Sequence, residues 1–230
     1  MKVASYNIHK GIGLDRRRDP GRIIDVLGEV DADIFALQEA DRRFFGRRAV
    51  LPPDDLEAAG FRHVHFGMRE HSIGWHGNAI VVRKNADVRH AEPLWLDTLE
   101  PRGAVLAEVH LQEGPVRIVG MHLDLSGFYR IRQLRQLCDL LDERRPMPTI
   151  LMGDTNDWNR GKRAAMPTVP GHYQLAPCGP SFHTRRPVLE LDRIIYSTEL
   201  SLRDAGVHVS PRAKRASDHL PIWAELEHPG

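Results

Sequence analysis

Apolar residues fall along this chain in short blocks, and each block breaks on polar or turn-forming residues. Val3 to Ile8 is apolar-rich and reads as a strand. A loop through Gly11 and Gly13 to Arg18 leads into Asp19-Pro20, an N-cap followed by a first-turn proline. Ile23, Val26, Leu27 and Val30 then recur at helical spacing and predict a helix with one buried face. Ile34-Phe35-Ala36-Leu37 predicts a buried strand that ends at Gln38-Glu39. Ala79 to Val82, Ala104 to Leu111 and Val116 to Leu123 predict three more strands, with Gly114-Pro115 turning the last two into an antiparallel hairpin. A second helix is expected over 129–144, where Ile131, Leu134, Leu137, Cys138 and Leu141 share a face and Pro146 sets the stop. Thr149 to Met152, Arg193 to Tyr196 and a strand after His219 complete the pattern. Hairpins mixed with strand–helix–strand units predict a layered α/β protein with mixed sheets rather than a purely parallel doubly wound one. The segment from Pro167 to Pro180 reads as loop within the same domain.

Composition narrows the picture. A length of 230 residues suits one domain, and 41% hydrophobic with 27% charged residues is the balance of a folded chain rather than a disordered one. Lys and Arg total 32 against 31 Asp and Glu, a formal charge of +1, which is a weak basis for holding nucleic acid through its phosphates. The two cysteines, Cys138 and Cys178, form no C-x-x-C knuckle and are expected as reduced thiols. No apolar run approaches the ~18–20 residues that span a bilayer, and the first residues lack a signal-peptide core. A cytoplasmic monomer is therefore the expectation. The 13 histidines suggest metal or acid–base chemistry, with surface decoration as the plain alternative.

Position says more than count. Polar clusters sit where apolar strands end or begin: Asn7, Gln38-Glu39, His122-Leu123-Asp124, Gly153-Asp154-Thr155-Asn156 and Ser217-Asp218-His219. Strand ends gathered on one edge of stacked sheets would bring these groups into one pocket, held by a rigid scaffold. Glu39, Asp154, Asp218 and the Asn7 carbonyl are hard oxygen donors of the kind Mg²⁺ takes, with substrate phosphate completing its sphere. Neither an H-E-x-x-H pattern nor a cysteine cluster points to zinc.

The ordered set Tyr6-Asn7-Ile8-His9, Gln38-Glu39, Pro101-Arg102-Gly103-Ala104, Met121-His122-Leu123, Gly153-Asp154-Thr155-Asn156, Leu191-Asp192-Arg193-Ile194 and Ser217-Asp218-His219 resembles the endonuclease/exonuclease/phosphatase superfamily. DNase I, AP endonucleases, inositol polyphosphate 5-phosphatases and neutral sphingomyelinases belong to it. Each motif alone is weak; their order over Val3 to Leu226 is specific. The Asn7-Ile8-His9-Lys10-Gly11 version is similar to a group of small bacterial members.

The resemblance implies a four-layer α/β/β/α sandwich with two mixed, mostly antiparallel sheets, forming one catalytic domain over 1–230. It implies hydrolysis of a phosphoester with Mg²⁺, or Mn²⁺ in its place, by in-line attack of water. Glu39 would be the principal metal ligand, with Asn7 and Asp218 completing or supporting the sphere. Asp154 would orient or deprotonate the water, and Asn156 would bond the phosphate or the nucleophile. His219 would act as general base or as a charged stabiliser, its tautomer fixed by Asp192, and His122 would donate to a phosphate oxygen. Lys10, in a Gly-flanked loop after the first motif, would meet a substrate phosphate, Arg102 would brace the site or contact substrate, and Asn78 matches a family position near the substrate. Plainer readings stand beside these: a salt bridge from Asp192 to Arg193, a simple turn at Gly153 to Asn156, a core histidine at His122 and a solvated Lys10.

Fold does not fix substrate. The near-neutral charge ranks a small or lipid-derived phosphoester first and nucleic acid, cut by an endonuclease or exonuclease, second. The runs Arg16-Arg17-Arg18 and Arg42-Arg43 to Arg47-Arg48 keep nucleic acid in consideration, although charge runs are usually solvated loops. His71 and His76 around Trp75 read equally as substrate rim or exposed surface. A catalytically inactive phosphate-binding module is the reading from another class; the intact Glu, Asp and His positions count against it.

Overall fold

The structure is a computed structural model that describes residues 1–228 except 43–47, 68–71 and 159–163. Arg43, Arg47 and His71 lie outside the described residues.

The chain opens with β1 (Lys2–Asn7), α1 (Pro20–Val30) and β2 (Ile34–Gln38), followed by α2 (Pro53–Ala58), β3 (Phe61–His63) and β4 (Ala79–Arg83). Next come β5 (Asp87–Leu94), β6 (Gly103–Leu111), β7 (Gly114–His122), α3 (Gly127–Asp142), β8 (Thr149–Asp154) and β9 (Tyr173–Leu175). The last elements are β10 (Asp192–Ser197), β11 (Ser201–Val207), α4 (Ala213–Ala216) and β12 (Ile222–Glu227). The strands form two six-stranded sheets, ordered β11-β12-β1-β2-β4-β3 and β5-β6-β7-β8-β10-β9. Within them only β1–β2 and β7–β8 pair in parallel, and every other neighbour is antiparallel. Each parallel pair is joined by one long helix, α1 or α3, because parallel neighbours need a crossover.

Burial on both faces explains the continuous apolar blocks. In β1, Val3 joins the core between the sheets, while Ala4 and Tyr6 join the core beneath α1. Ile34 and Ala36 of β2 face the first of these cores, and Phe35 and Leu37 the second. A third core lies between the other sheet and α3, built from residues such as Leu106, Val119, Leu134, Leu137 and Leu151. Helix, sheet, sheet and helix are thus stacked with a core at each junction, the expected α/β sandwich.

Helix α1 forms where the pattern places it. The Asp19 side chain accepts a bond from Arg22 N at 3.1 Å, Pro20 opens the first turn, and Asp31 closes the helix in the left-handed conformation (φ 55°). Its buried Ile23, Ile24, Val26, Leu27 and Val30 contribute roughly 1.5–3 kcal/mol each on burial. Helix α3 begins and ends two residues before the expected 129–144. Its last turn stops ahead of Pro146, whose predecessor is disfavoured in the helical region. Its buried face also contains two polar residues, Arg130 and Gln133.

The edge strands are β11 and β3 in one sheet and β5 and β9 in the other. β3 and β9 have three residues each. β5 carries Pro93 and slips register between Val88 and His90, and β11 slips between Leu202 and Asp204.

At one end of the sandwich the parallel strands β1, β2, β7 and β8 finish, and β4, β6, β10 and β12 begin. Asn7 lies opposite Gln38, and His122 lies opposite both Gly103 and Asp154. Asp154 in turn lies opposite Asp192. Gly153 is required there: a Cβ on it would come within 1.8 Å of the Met121 carbonyl oxygen on the neighbouring strand. Gly153→Ala is therefore expected to cost on the order of 2–3 kcal/mol by forcing β7 and β8 apart. A thermal melt checks this, and an unshifted midpoint would show that the two strands accommodate the methyl group.

Candidate active site

Asp154 is the hub of this end. It is buried at the close of β8, and its Oδ2 accepts a 3.0 Å bond from Asn7 Nδ2 at the close of β1. The same oxygen lies 3.4 Å from His122 Nε2 and 3.8 Å from His219 Nε2. Oδ1 accepts from the backbone N–H of Asn156 at 2.9 Å. Asn156 adopts a left-handed conformation (φ 51°), one that asparagine tolerates, and its side chain donates to Leu123 O at 3.0 Å. Two sheets and four strand ends thus meet on one carboxylate.

His219 forms the second centre. Its Nδ1 lies 2.8 Å from Asp192 Oδ2. Asp192 is an acceptor there, so the Nδ1 proton stays on the imidazole and Nε2 points towards Asp154. Ser181 Oγ donates to the same Asp192 oxygen, and the Phe182 ring packs on His219 with centroids 4.7 Å apart. Arg193, the plainer partner for Asp192, bonds Glu190 instead. Burial pushes the Asp154 carboxyl up to about 6, with the neighbouring Asp192 adding to the rise and His219 opposing it. Burial works against a charged His219, but Asp192 and then Asp154 outweigh it and push its pKa up to about 10.

His122, at the end of β7, meets Arg102, whose Nη1 also donates to Leu123 O at 3.0 Å and whose Nε donates to Glu100 at 2.9 Å. A guanidinium only donates, so His122 Nε2 accepts in this arrangement, and Arg102 supplies the donor beside it. Asn78 is fully buried; its Nδ2 donates to Gly103 O at 3.0 Å and so ties the loop before β4 to β6 in the other sheet.

Glu39 follows β2 with φ 55° and pairs with Lys10, itself left-handed at φ 55°. Asp218 Oδ1 lies 3.8 Å from His9 Nδ1, and Ser217 Oγ donates to Asn7 O at 2.7 Å. Thr155 Oγ1 likewise donates to a carbonyl, that of Leu191, at 2.7 Å. Ser217 Oγ also lies 3.3 Å from Asp218 Oδ1, but its bond to Asn7 O is the shorter one, so both hydroxyls are held by backbone carbonyls.

Two groupings offer themselves to a cation. Asp154, Asp192 and His219 are all buried, and one ligand atom from each lies within 4.8 Å of the others. Glu39 follows Gln38, the residue opposite Asn7 in the β1–β2 register, and Asp218 Oδ1 lies 3.8 Å from His9 Nδ1. The donors are carboxylate and carboxamide oxygens with one imidazole and no thiolate. Asp192 Oδ1 is buried without a hydrogen-bond partner among the described residues. Both features fit a divalent cation that prefers oxygen.

All the residues predicted from sequence for the site lie at this end. Trp75 of the expected rim packs against Trp95 with ring centroids 4.7 Å apart. Ser181, Phe182 and Glu100 were not predicted; the first two are loop residues made relevant by distant pairing, and Glu100 by its bond to Arg102 two residues on. Arg130 and Gln133 carried a signal, since both fall on the apolar face of a predicted helix. The thiols are as expected: Cys138 and Cys178 are free. No helix among the described residues is long and apolar enough to cross a membrane.

A family model described as the Endonuclease/Exonuclease/phosphatase family matches residues 4–219. No curated protein sequence matches the chain. Among solved structures, an endonuclease/exonuclease/phosphatase from Beutenbergia cavernae is 21% identical with a TM-score of 0.73, covering 100% of this chain and 72% of its own. D. rerio TDP2 complexed with single strand DNA product is 16% identical with a TM-score of 0.73, covering 99% of this chain and 98% of its own. A mannosyl-6-phosphatase of Bacteroides thetaiotaomicron is 20% identical with a TM-score of 0.68, covering 98% of this chain and 99% of its own. At these identities the likeness is one of fold.

Proposed function

The chain belongs to the endonuclease/exonuclease/phosphatase family, and on that premise we propose that it is a Mg²⁺-dependent phosphoester hydrolase, one catalytic domain over 1–230, acting on a small or lipid-derived ester. The observation that carries this reading is the convergence of Asn7 and His219 on Asp154 Oδ2 from the two sheets, with His122 held beside it by Arg102. Hydrolysis of a phosphoester needs a positioned water, a proton acceptor and donors that meet charge as it develops on phosphorus-bound oxygens. Asp154, raised towards neutrality, orients the water and takes its proton. His219, held charged by Asp192, donates from Nε2 to an oxygen of the transition state. Asn156 and Arg102 add fixed donors at the same edge, Lys10 meets a substrate phosphate, and buried Asn78 braces the loop before β4 from beneath.

Glu39, with Asn7 and Asp218, would hold Mg²⁺, or Mn²⁺ in its place. When bound, the ion supplies positive charge to the non-bridging and leaving oxygens. Every group of the chain named here is a donor, an acceptor or a ligand, so attack by water replaces a covalent intermediate.

A panel with Mg²⁺ or Mn²⁺ tests the substrate class: bis-p-nitrophenyl phosphate, sphingomyelin, inositol phosphates, plasmid DNA and abasic DNA, with Glu39→Ala as blank. Turnover of the small or lipid esters supports the reading. Turnover confined to DNA replaces it with a nuclease, and phosphate binding without turnover of any ester replaces it with a binding module.

The pKa directions give a pH profile. Activity needs Asp154 ionised and His219 protonated, so kcat/KM should rise through about pH 6 and fall through about pH 10. The limbs belong to the coupled pair rather than to single residues. A rise that continues through about pH 10 would instead make neutral His219 the base.

A further inference from the structure

We infer that Arg130 is a positioning residue that locks the loop after β7 to the loop after β8, and so sets His122, Asp154 and Asn156 in register. The inference rests on the site reading above.

Arginine is almost never fully buried unless it is paired. Arg130 is fully buried and is the largest side chain to be so among the described residues. From α3 its Nη1 donates to Leu125 O at 2.7 Å and to Asp124 O at 3.3 Å, two carbonyls of the loop that follows His122. Its Nε lies 3.7 Å from Asp157 Oδ1, and its guanidinium lies over the Trp158 ring at 4.7 Å. Both of those residues belong to the loop that follows Asp154. Asp157 is itself anchored, since its Oδ2 accepts from Ala165 N at 2.7 Å and Met166 N at 3.1 Å. One planar group therefore touches both arms.

The surroundings separate this from ordinary packing. Among the described residues Nε and Nη2 find no hydrogen-bond partner, so within them the buried guanidinium carries a desolvation cost. An apolar side chain of the same volume would remove that cost. A feature that costs stability and spans two functional loops is placed for geometry. Gln133, one turn on, reinforces the first arm: its Oε1 accepts from Asp124 N at 2.9 Å, and its Nε2 donates to Asp97 O at 3.0 Å. The arms then meet at Leu123, whose N–H donates to Asp154 O at 2.9 Å and whose carbonyl accepts from Arg102 and Asn156 at 3.0 Å each. Trp158, partly exposed, covers the guanidinium from solvent.

The test combines hydrogen exchange on the metal-free protein with steady-state kinetics on bis-p-nitrophenyl phosphate. In Arg130→Ala, exchange should quicken at least about tenfold in 122–126 and 154–158 and stay unchanged in β1, β2 and β6. kcat should fall about 10²-fold, the scale of an ångström-sized misplacement, with KM within about threefold. Millimolar guanidinium ion should restore part of both losses, and Arg130→Lys should fall between wild type and Ala. Unchanged exchange in the two loops, or faster exchange spread evenly over the sheets, would overturn the inference. If Arg130→Ala does not fold, Asp157→Asn tests the contact from the other side, and wild-type exchange in 154–158 would overturn it. The exchange readout needs no turnover, so a wild type inactive on every ester would sink the proposed function and leave this contact testable.

Discussion

His219→Ala should lower kcat by about 10²–10⁴-fold, the range for losing a positioned proton-transfer group. The imidazole sits between two carboxylates, bonded through Nδ1 to Asp192 at 2.8 Å and aimed through Nε2 at Asp154, 3.8 Å away. Removing it strips the transition state of its charged donor and leaves Asp192 and Asp154 buried without the positive charge between them. Asp154 should then hold its proton more tightly, because His219 contributes the largest of the effects that lower its pKa, ahead of the bonds from Asn7 and the Asn156 N–H. The acid limb of any residual activity should therefore move to higher pH. Asp192→Asn should weaken turnover in the same direction but less, since the Phe182 ring still packs on the imidazole. Steady-state kinetics over pH, with circular dichroism to confirm folding, checks both variants. Wild-type turnover in His219→Ala would remove the residue from the mechanism.

Glu39→Ala should abolish divalent-dependent turnover while leaving the fold intact. The carboxylate follows β2 at the rim of the site and pairs with Lys10, a partly exposed contact worth about 1 kcal/mol or less. Its left-handed backbone is already occupied by a residue with a Cβ, so alanine adds no strain. The loss should therefore appear in metal binding and turnover and not in the melting midpoint. Calorimetry with Mn²⁺ separates the outcomes: lost binding with an unchanged melt supports the assignment. Full binding in the variant would move the ion to the buried Asp154, Asp192 and His219 cluster.

The sequence made the middle of the fold legible and not its margins. The strands predicted from apolar runs are β1, β2, β4, β6, β7, β8, β10 and β12, each with sheet neighbours on both sides. The strands it missed, β3, β5, β9 and β11, are the four edges. An edge strand buries little of itself, so Asp87 to Leu94 and Ser201 to Val207 mix charged or polar residues with apolar ones and present no apolar run. Helix α2 escaped for a related reason, since one buried residue, Leu56, carries its packing. Site residues were legible where polarity interrupts an apolar run, as at Asn7, Asp154 and His219. Ser181 and Phe182 lie in loop sequence with no periodicity, and only the distant pairing with Asp192 and His219 gives them meaning. Arg102 shows a limit of another kind: its type and position were readable, but its attachment to His122 depends on a cross-strand register that spacing does not reveal.

The slipped registers of β5 and β11 bear on how the protein behaves when concentrated. A flat, regular outer strand offers a row of open N–H and C=O groups to any extended segment from a neighbour. Here the two long outer strands each break that row, one beside Val88 and one beside Leu202, and the two short ones end after three residues. A segment arriving from another molecule meets at most five residues in step, His90 to Leu94, before the row breaks or ends. The outer strands thus shorten the stretch that would template aggregation.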